Sequence, residues 1–229
     1  MSERPAPEGK RPAAERRRRQ REAELIAATR RLFDERGVRE TQVEDIVSAV
    51  GINRAVLYRH FTGKEELFAL TLVGYLEELR AALEESVAGC TEPRQQVAAL
   101  VTAFVEYGAE HPAFVDCAQS LMLQPGEELL DAVAPPARLP LGKAISGCLS
   151  VLVAALERGV AYGEFSVADP VLVANILYAT GLGALQLARV GILVAEVEPG
   201  VPTIGRITRE QVRDHLVSAA LAAAGAPAR

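Results

Sequence analysis

The sequence predicts an all-α protein, with a small N-terminal three-helix unit carrying a helix-turn-helix and a larger helical bundle behind it. Three observations carry this. Of the 229 residues 49% are apolar, yet only 5% are aromatic and none is Trp, so the interior must be built mostly from Ala, Leu and Val. Ala and Leu lose little on entering a helix, whereas sheets draw on branched and aromatic side chains. Apolar residues also recur at helical spacing between Gly- and Pro-bearing breaks along the chain. Finally, charge is segregated: residues 1–64 hold 15 Lys and Arg against 10 Asp and Glu, and residues 65–229 hold 10 against 20. A basic first quarter ahead of an acidic remainder is expected where only the N-terminal part meets phosphate.

Taken in order, residues 1–14 are rich in Pro, Ala and charge without an apolar period, and are expected to form a disordered basic arm. Structure is expected from Glu15, with Leu25, Ile26, Leu32 and Phe33 on one helical face and a stop at Gly37. Thr41 and Glu44 read as a capping box that opens a second helix at Gln42, burying Val43, Ile46, Val47 and Val50 before Gly51. Asn53 is an N-cap, and Ile52 can staple onto Leu57 in a third helix running through Phe61. Lys64 begins a fourth helix, marked by Leu67, Leu70, Val73 and Leu76, that continues toward Val87.

Further helices are expected at 94–110, 112–123, about 127–133, 141–162, 170–189 and 208–224. The longest breaks are 134–140, with Pro135 and Pro136, and 190–207, with Pro199, Gly200, Pro202 and Gly205; no strand pattern or repeat competes.

Several function classes fall away. Cys90, Cys117 and Cys148 are odd in number and lack CxxC spacing, so neither a disulfide framework nor a metal site is suggested, and a cytoplasmic location fits. The apolar run after the first arginines is too short for a signal peptide. Residues 170–188 hold no charge, but Asn175, Thr180, Gln186 and the lack of a second comparable run favour a buried helix over a membrane span. His60, His111 and His215 are isolated, and no nucleophile, carboxylate pair or cofactor motif emerges, which excludes an enzyme reading and leaves no cofactor to assign. Gly181-Leu182-Gly183 lacks the third glycine and the preceding strand of a phosphate loop.

The informative stretch is Gly37 to Leu67, GVRETQVEDIVSAVGINRAVLYRHFTGKEEL. Its inward residues Ile46, Val50, Ile52, Leu57 and Phe61 lock two short helices at a steep angle and turn Arg54, Ala55, Tyr58 and Arg59 outward. Arg54 can grip a guanine edge with two hydrogen bonds, and Ala55 permits close approach or contact with a thymine methyl. Lys64, at a helix start, combines its charge with free backbone N–H groups to hold a phosphate. Tyr58 serves either the groove or the scaffold. His60, beside Phe61, is either a phosphate ligand or a structural group.

Asp45-Ile46, Ala49, Gly51, Leu57-Tyr58, His60-Phe61 and Lys64-Glu65-Glu66-Leu67 stand at the relative spacing of the DNA-binding signature of the tetracycline-repressor (TetR) family, which this stretch resembles. The resemblance implies a transcriptional regulator that binds double-stranded operator DNA as a homodimer. It assigns DNA contacts to Thr41, Gln42, Arg54, Ala55, Val56, Tyr58, Arg59, His60 and Lys64. Gln42 stands where a small hydroxyl residue is usual, Ala55 where glycine is common and Val47 where alanine is common, so the operator sequence does not follow.

The resemblance also implies an organisation of residues 1–14 as arm, 15–63 as DNA-binding unit and 64–229 as effector and dimerisation unit. Candidates for an effector cavity are Phe104, Tyr107, Phe114, Cys117, Leu121, Met122, Cys148, Leu152 and Tyr178, whose scant charge points to a small hydrophobic effector. Ala174, Gly181 and Ala188 recur every seven residues and, with Val212, Leu216, Ala219 and Ala223, are the expected dimer interface. The alternative is a regulator without a small effector, controlled by a protein partner or its own abundance.

Overall fold

Leu25, Ile46, Leu57 and Leu67, all fully buried, are the centre of one of two hydrophobic clusters around which the chain folds. The computed structural model describes residues 10–123, 133 and 135–225. Its elements are α1 (Lys10–Arg36), α2 (Val43–Val50), α3 (Arg54–Leu57), α4 (Lys64–Ser86), α5 (Pro93–Glu110), α6 (Pro112–Met122), α7 (Pro135–Ala161), α8 (Pro170–Val190), strands β1 (Ile192–Glu198) and β2 (Val201–Arg206), and α9 (Arg209–Ala223).

The first cluster joins α1, α2, α3 and the start of α4. The second, larger cluster joins α4 to α5, α6, α7, α8 and α9 and takes Phe33 and Val38 from the N-terminal side. Phe68 and Leu70 of α4 pack against both, and Phe68 meets Phe33 edge-on at 4.8 Å. α4 is therefore a shared wall: a displacement of it reaches both units, because close-packed interiors transmit strain.

Local chemistry sets most boundaries. Pro93, Pro112 and Pro170 occupy first-turn positions of α5, α6 and α8, where a missing N–H costs nothing. Asp169 caps α8 by accepting from Leu172 N–H at 2.9 Å, and Thr208 and Gln211 form a capping box at the start of α9.

Three expectations are corrected. α1 begins at Lys10, so residues 10–14 are helical rather than part of a disordered arm. α7 begins at Pro135 and carries Pro140 inside it, where a break was expected; Pro135 and Pro136 fall in the first turn, where no intrahelical N–H donor is needed, whereas Pro140, the sixth residue, removes one i to i−4 bond. The expected break at 190–207 contains an antiparallel hairpin pairing Ile192 with Arg206 and Glu198 with Val201, turned by Pro199-Gly200. Its signal was the branched content of Ile192, Val194, Val201, Thr203 and Ile204, masked by Pro202 and Gly205, which an edge strand tolerates. The helix expected at about 127–133 lies outside the described residues except for Val133.

Two helices, α7 and α8, are long and apolar enough to cross a membrane, where one run was expected. α8 is not buried on all sides. Ala174, Gly181, Leu182 and Leu185 enter the core, while Val171, Leu172, Ile176, Leu187 and Val190 stay exposed on its other face.

Candidate nucleic-acid interface

The turn between α2 and α3 fixes the interface. Gly51 adopts φ 70°, a left-handed conformation costly for other residues, and Ile52 N–H donates to Val47 O at 2.9 Å while Gly51 N–H donates to Ser48 O at 3.2 Å. Asn53 then caps α3 by accepting from Val56 N–H at 3.0 Å. Ile52 packs on the cluster that holds Leu57, as a hydrophobic staple would. α3 proper ends at Leu57, but bonds from Tyr58 N–H to Arg54 O and from Phe61 N–H to Leu57 O carry the helical turn through Phe61.

The cap of α2 differs from expectation. Gln42 is the N-cap, and the Asp45 carboxylate accepts from Gln42 N–H at 2.9 Å. Thr41 is buried, and its hydroxyl donates to Gly37 O at 2.8 Å. Thr41 thus latches the α1–α2 turn from inside.

Burying Leu57 and Phe61 turns Arg54, Ala55, Tyr58 and Arg59 to solvent; Gln42 and Lys64 are exposed as well. These six are open to solvent. Val56 is half-buried. His60 turns back toward α1, its Nδ1 3.4 Å from Glu22 Oε1, so in this structure it braces the recognition segment against α1. Arg54 is held in place: its guanidinium donates to Glu44 Oε1 at 2.6 Å and lies 5.9 Å from the Tyr58 ring centre. Arg59 and Lys64 form no ion pair among the described residues and are available to phosphate. At the start of α4, Thr62 N–H and hydroxyl both donate to the buried Glu66 carboxylate, at 2.6 and 2.8 Å, an anchor for the Lys64 turn that sequence reasoning missed. The signal was there, since an acid in the first turn of a helix accepts from donors just before it.

Away from this face, α5, α7 and α8, with Leu83 of α4 and Leu216 and Ala220 of α9, line a partly open apolar pocket of about 60 Å³. It brings together Phe104, Cys148, Leu152 and Tyr178 of the expected effector residues. The other five lie elsewhere. Tyr107 and Phe114 are core, Cys117 and Leu121 border a second recess beside α4, and Met122 is exposed. Gly181 was expected at the dimer interface, yet it faces this cavity, and a Cβ there would come within 2.6 Å of the Phe104 ring. Ala174, Val212 and Leu216 are likewise buried in the protomer's own core, Ala188 and Ala219 are half-buried, and Ala223 is exposed. Within the protomer, the absent side chain of Gly181 makes room for the Phe104 ring.

Tyr178 is the polar element of the cavity. Its ring meets Phe104 edge-on at 5.9 Å, and its hydroxyl forms no hydrogen bond among the described residues. Burial holds this phenol well above its ordinary value, so it is neutral. Burial also pushes the Cys148 thiol up to about 12, and it donates to Leu76 O at 3.1 Å.

Residues 25–71 match the model for bacterial regulatory proteins of the tetR family. Over 145 residues the chain is 32% identical to the HTH-type transcriptional repressor KstR2 of Rhodococcus jostii (strain RHA1), covering 63% of this chain and 68% of that one. It is 37% identical over 109 residues to the KstR2 of Mycobacterium tuberculosis (strain ATCC 25618 / H37Rv), covering 46% of this chain and about half, 54%, of that relative. The solved structure of the ketosteroid transcriptional regulator KstR2 of M. tuberculosis superimposes with a TM-score of 0.58 at 26% identity, covering 91% of this chain and 96% of that one.

Proposed function

The chain belongs to the tetR family of bacterial regulatory proteins and is a DNA-binding transcriptional regulator, not an enzyme; from that premise we propose that it is a repressor that holds a palindromic operator as a homodimer and releases it on binding an uncharged hydrophobic effector. The observation that carries the reading is the open face of Arg54, Ala55, Tyr58, Arg59 and Lys64, set on a rigid Gly51 turn and continuous, through α4, with a regulatory bundle. Two-fold symmetry would place two such faces in successive major grooves.

The dimer face we assign is the exposed apolar side of α8, Leu172, Ile176, Leu187 and Val190, extended by Leu193, Val194 and Ile204 of the hairpin. A lone two-stranded hairpin is marginally stable in water, and so many apolar side chains in one patch call for a cover. A second copy supplies the same surface twice.

For the effector we assign the cavity at Tyr178. Its lining excludes charge and offers a single unpartnered hydroxyl, so it suits a hydrocarbon body bearing one hydroxyl or carbonyl group, as the ketosteroids in the KstR2 name do. At about 60 Å³ it holds only part of such a molecule, so Phe104 has to swing away from Gly181 to admit the rest. Linkage then requires the effector to bind the DNA-free dimer more tightly than the bound one.

The test is to capture genomic fragments of the source organism on the purified chain and on an Arg54→Ala variant, then to titrate candidate effectors into the complex. Enrichment of a palindromic fragment by the parent alone, followed by effector-driven release, supports the proposal. Equal capture by both proteins, or a ligand of equal affinity for free and DNA-bound dimer, contradicts it.

A further inference from the structure

The stretch of α1 from residue 14 to residue 20 buries no side chain in its own protomer. Residues 14–20 are all exposed, and Leu25 is the first residue of the helix to enter the core. The family match also begins at residue 25, so this segment lies outside it. Its composition works against its own stability, because Arg16, Arg17, Arg18, Arg19 and Arg21 crowd like charges at i,i+3 and i,i+4 spacing within six residues of one helix.

Glutamates of the same helix meet three of these charges: Arg18 pairs with Glu22 at 2.8 Å, Arg21 with Glu24 at 2.8 Å, and Arg19 with Glu15. Arg16 and Arg17 have no ion pair or hydrogen bond among the described residues. The location of the segment is fixed at its base. Arg18 and Glu22 share a surface recess with Tyr58, Arg59 and His60 of the recognition segment. From Arg18 the helix continues for eight residues to Lys10, about 12 Å at 1.5 Å per residue. It leaves the DNA-binding unit beside Tyr58, Arg59 and His60 of the recognition segment.

We propose that this projecting helix is a second DNA-binding element, whose Arg16 and Arg17 neutralise phosphates flanking the half-site read by α3. The inference rests on the reading of α3 as the DNA reader. Charge complementarity selects the occupant: Arg16 and Arg17 meet no acid among the described residues, and the unpaired cations Arg59 and Lys64 already mark the neighbourhood as a phosphate surface. The helix serves as a rigid rail, so its cations keep their spacing along the backbone, which a disordered arm would not do.

The test uses the full chain and the double variant Arg16→Gln/Arg17→Gln, which keeps the three internal ion pairs. Affinity is measured against KCl concentration on two duplexes: the selected operator cut at the palindrome, and the same operator extended by about one helical turn, ~10 base pairs, on each side. The parent is expected to prefer the extended duplex. The variant is expected to bind both alike, with a salt slope smaller by about 3.6, at about 0.9 per phosphate for two arginines in each of two subunits. An unchanged slope, or an unchanged preference for the extended duplex in a variant of native helicity and mass, overturns the proposal. So does loss of binding to vesicles of anionic lipid with DNA binding intact, which would reassign the helix to a membrane surface. Failure of the α3 reading is separate: it shows as retained operator selectivity in Arg54→Ala, which the salt slope of the arginine variant does not affect.

Discussion

Glu78 of α4 grips Arg30 of α1 through both carboxylate oxygens. The Tyr107 hydroxyl of α5 donates to Tyr75 O at 2.8 Å and lies 3.3 Å from the same carboxylate. Arg30 also lies over the Tyr75 ring at 4.3 Å, and the Tyr75 hydroxyl donates to Asp34 of α1 at 2.6 Å. This cluster ties the first helix of the DNA-binding unit to two helices of the bundle. Tyr107 in turn touches Phe114 and, through it, Phe104 at the cavity, so the contacts run without a gap from cavity to α1.

Replacing Glu78 by Gln should loosen that joint. The guanidinium of Arg30 holds the Glu78 carboxyl below its ordinary 4.5, so its contribution to stability is present above pH 4.5 and is lost as pH falls through the lowered value. The Glu78→Gln variant is expected to melt below the parent at pH 7, with the difference closing in acid. A difference that persists unchanged at pH 3 would mean that the carboxylate charge is not what stabilises the joint. Operator affinity in the variant should respond less to effector.

Arg54 and Lys64 should fail differently. Arg54→Ala is expected to lose roughly ten- to hundredfold in operator affinity and to relax preference at one base pair per half-site, because a bidentate base contact goes. Lys64→Ala should weaken all duplexes about equally and lower the salt slope by about 1 per subunit. An operator mutation panel checks this, and identical profiles for both variants would contradict the division of roles.

The DNA-binding unit was legible because its signals are local. Asn53, Gly51 and the inward residues at 46, 57 and 61, with the partly buried 50 and 52, dictate the turn within fifteen or so residues. What was not legible depends on distant partners. The Ala174 and Gly181 stripe announces close approach without saying of what, and at Gly181 the approaching group is Phe104 of the same chain. Likewise Thr41 and His60 stand at the family's spacing, and only the folded α1 shows Thr41 donating to Gly37 O and His60 turned to Glu22. The hairpin was hidden because alternation over so few residues competes poorly with Pro and Gly as turn signals. Within the cavity, side chains from α5, α7 and α8 converge, and periodicity within one helix does not reveal which faces meet.

Thiol chemistry reports on the cavity. Burial, with Asp116 and Asp34 adding to it, pushes the Cys117 thiol up to about 12, and Cys148 reaches about 12 as well. Thiolate is the reactive form, so at pH 8 alkylation is expected only at the half-buried Cys90. Because the folded values are raised, the protonated thiols favour the fold fully below pH 9, and that advantage fades as pH rises from 9 toward 12. Peptide mapping after alkylation checks the first point; rapid labelling of Cys148 in the free protein would show the cavity to be open.

Tyr178→Phe separates the polar and apolar parts of effector binding. Affinity for a ring hydrocarbon should stay unchanged, while affinity for its hydroxyl- or carbonyl-bearing analogue should fall about tenfold, the order of one hydrogen bond in a buried site. Calorimetric titration of such a pair reads both. Equal losses for both ligands would place the polar group elsewhere.

The central claim is that two copies of this chain read one palindrome through α3. Light scattering coupled to size exclusion, on the full chain mixed with its selected operator, tests it most directly. The expected mass is that of two chains, each 24.5 kDa, plus one duplex, and it should be unchanged on diluting the free protein over the working range. A complex of one chain per duplex, or a free protein of 24.5 kDa that binds a single half-site as well as the palindrome, would contradict the account.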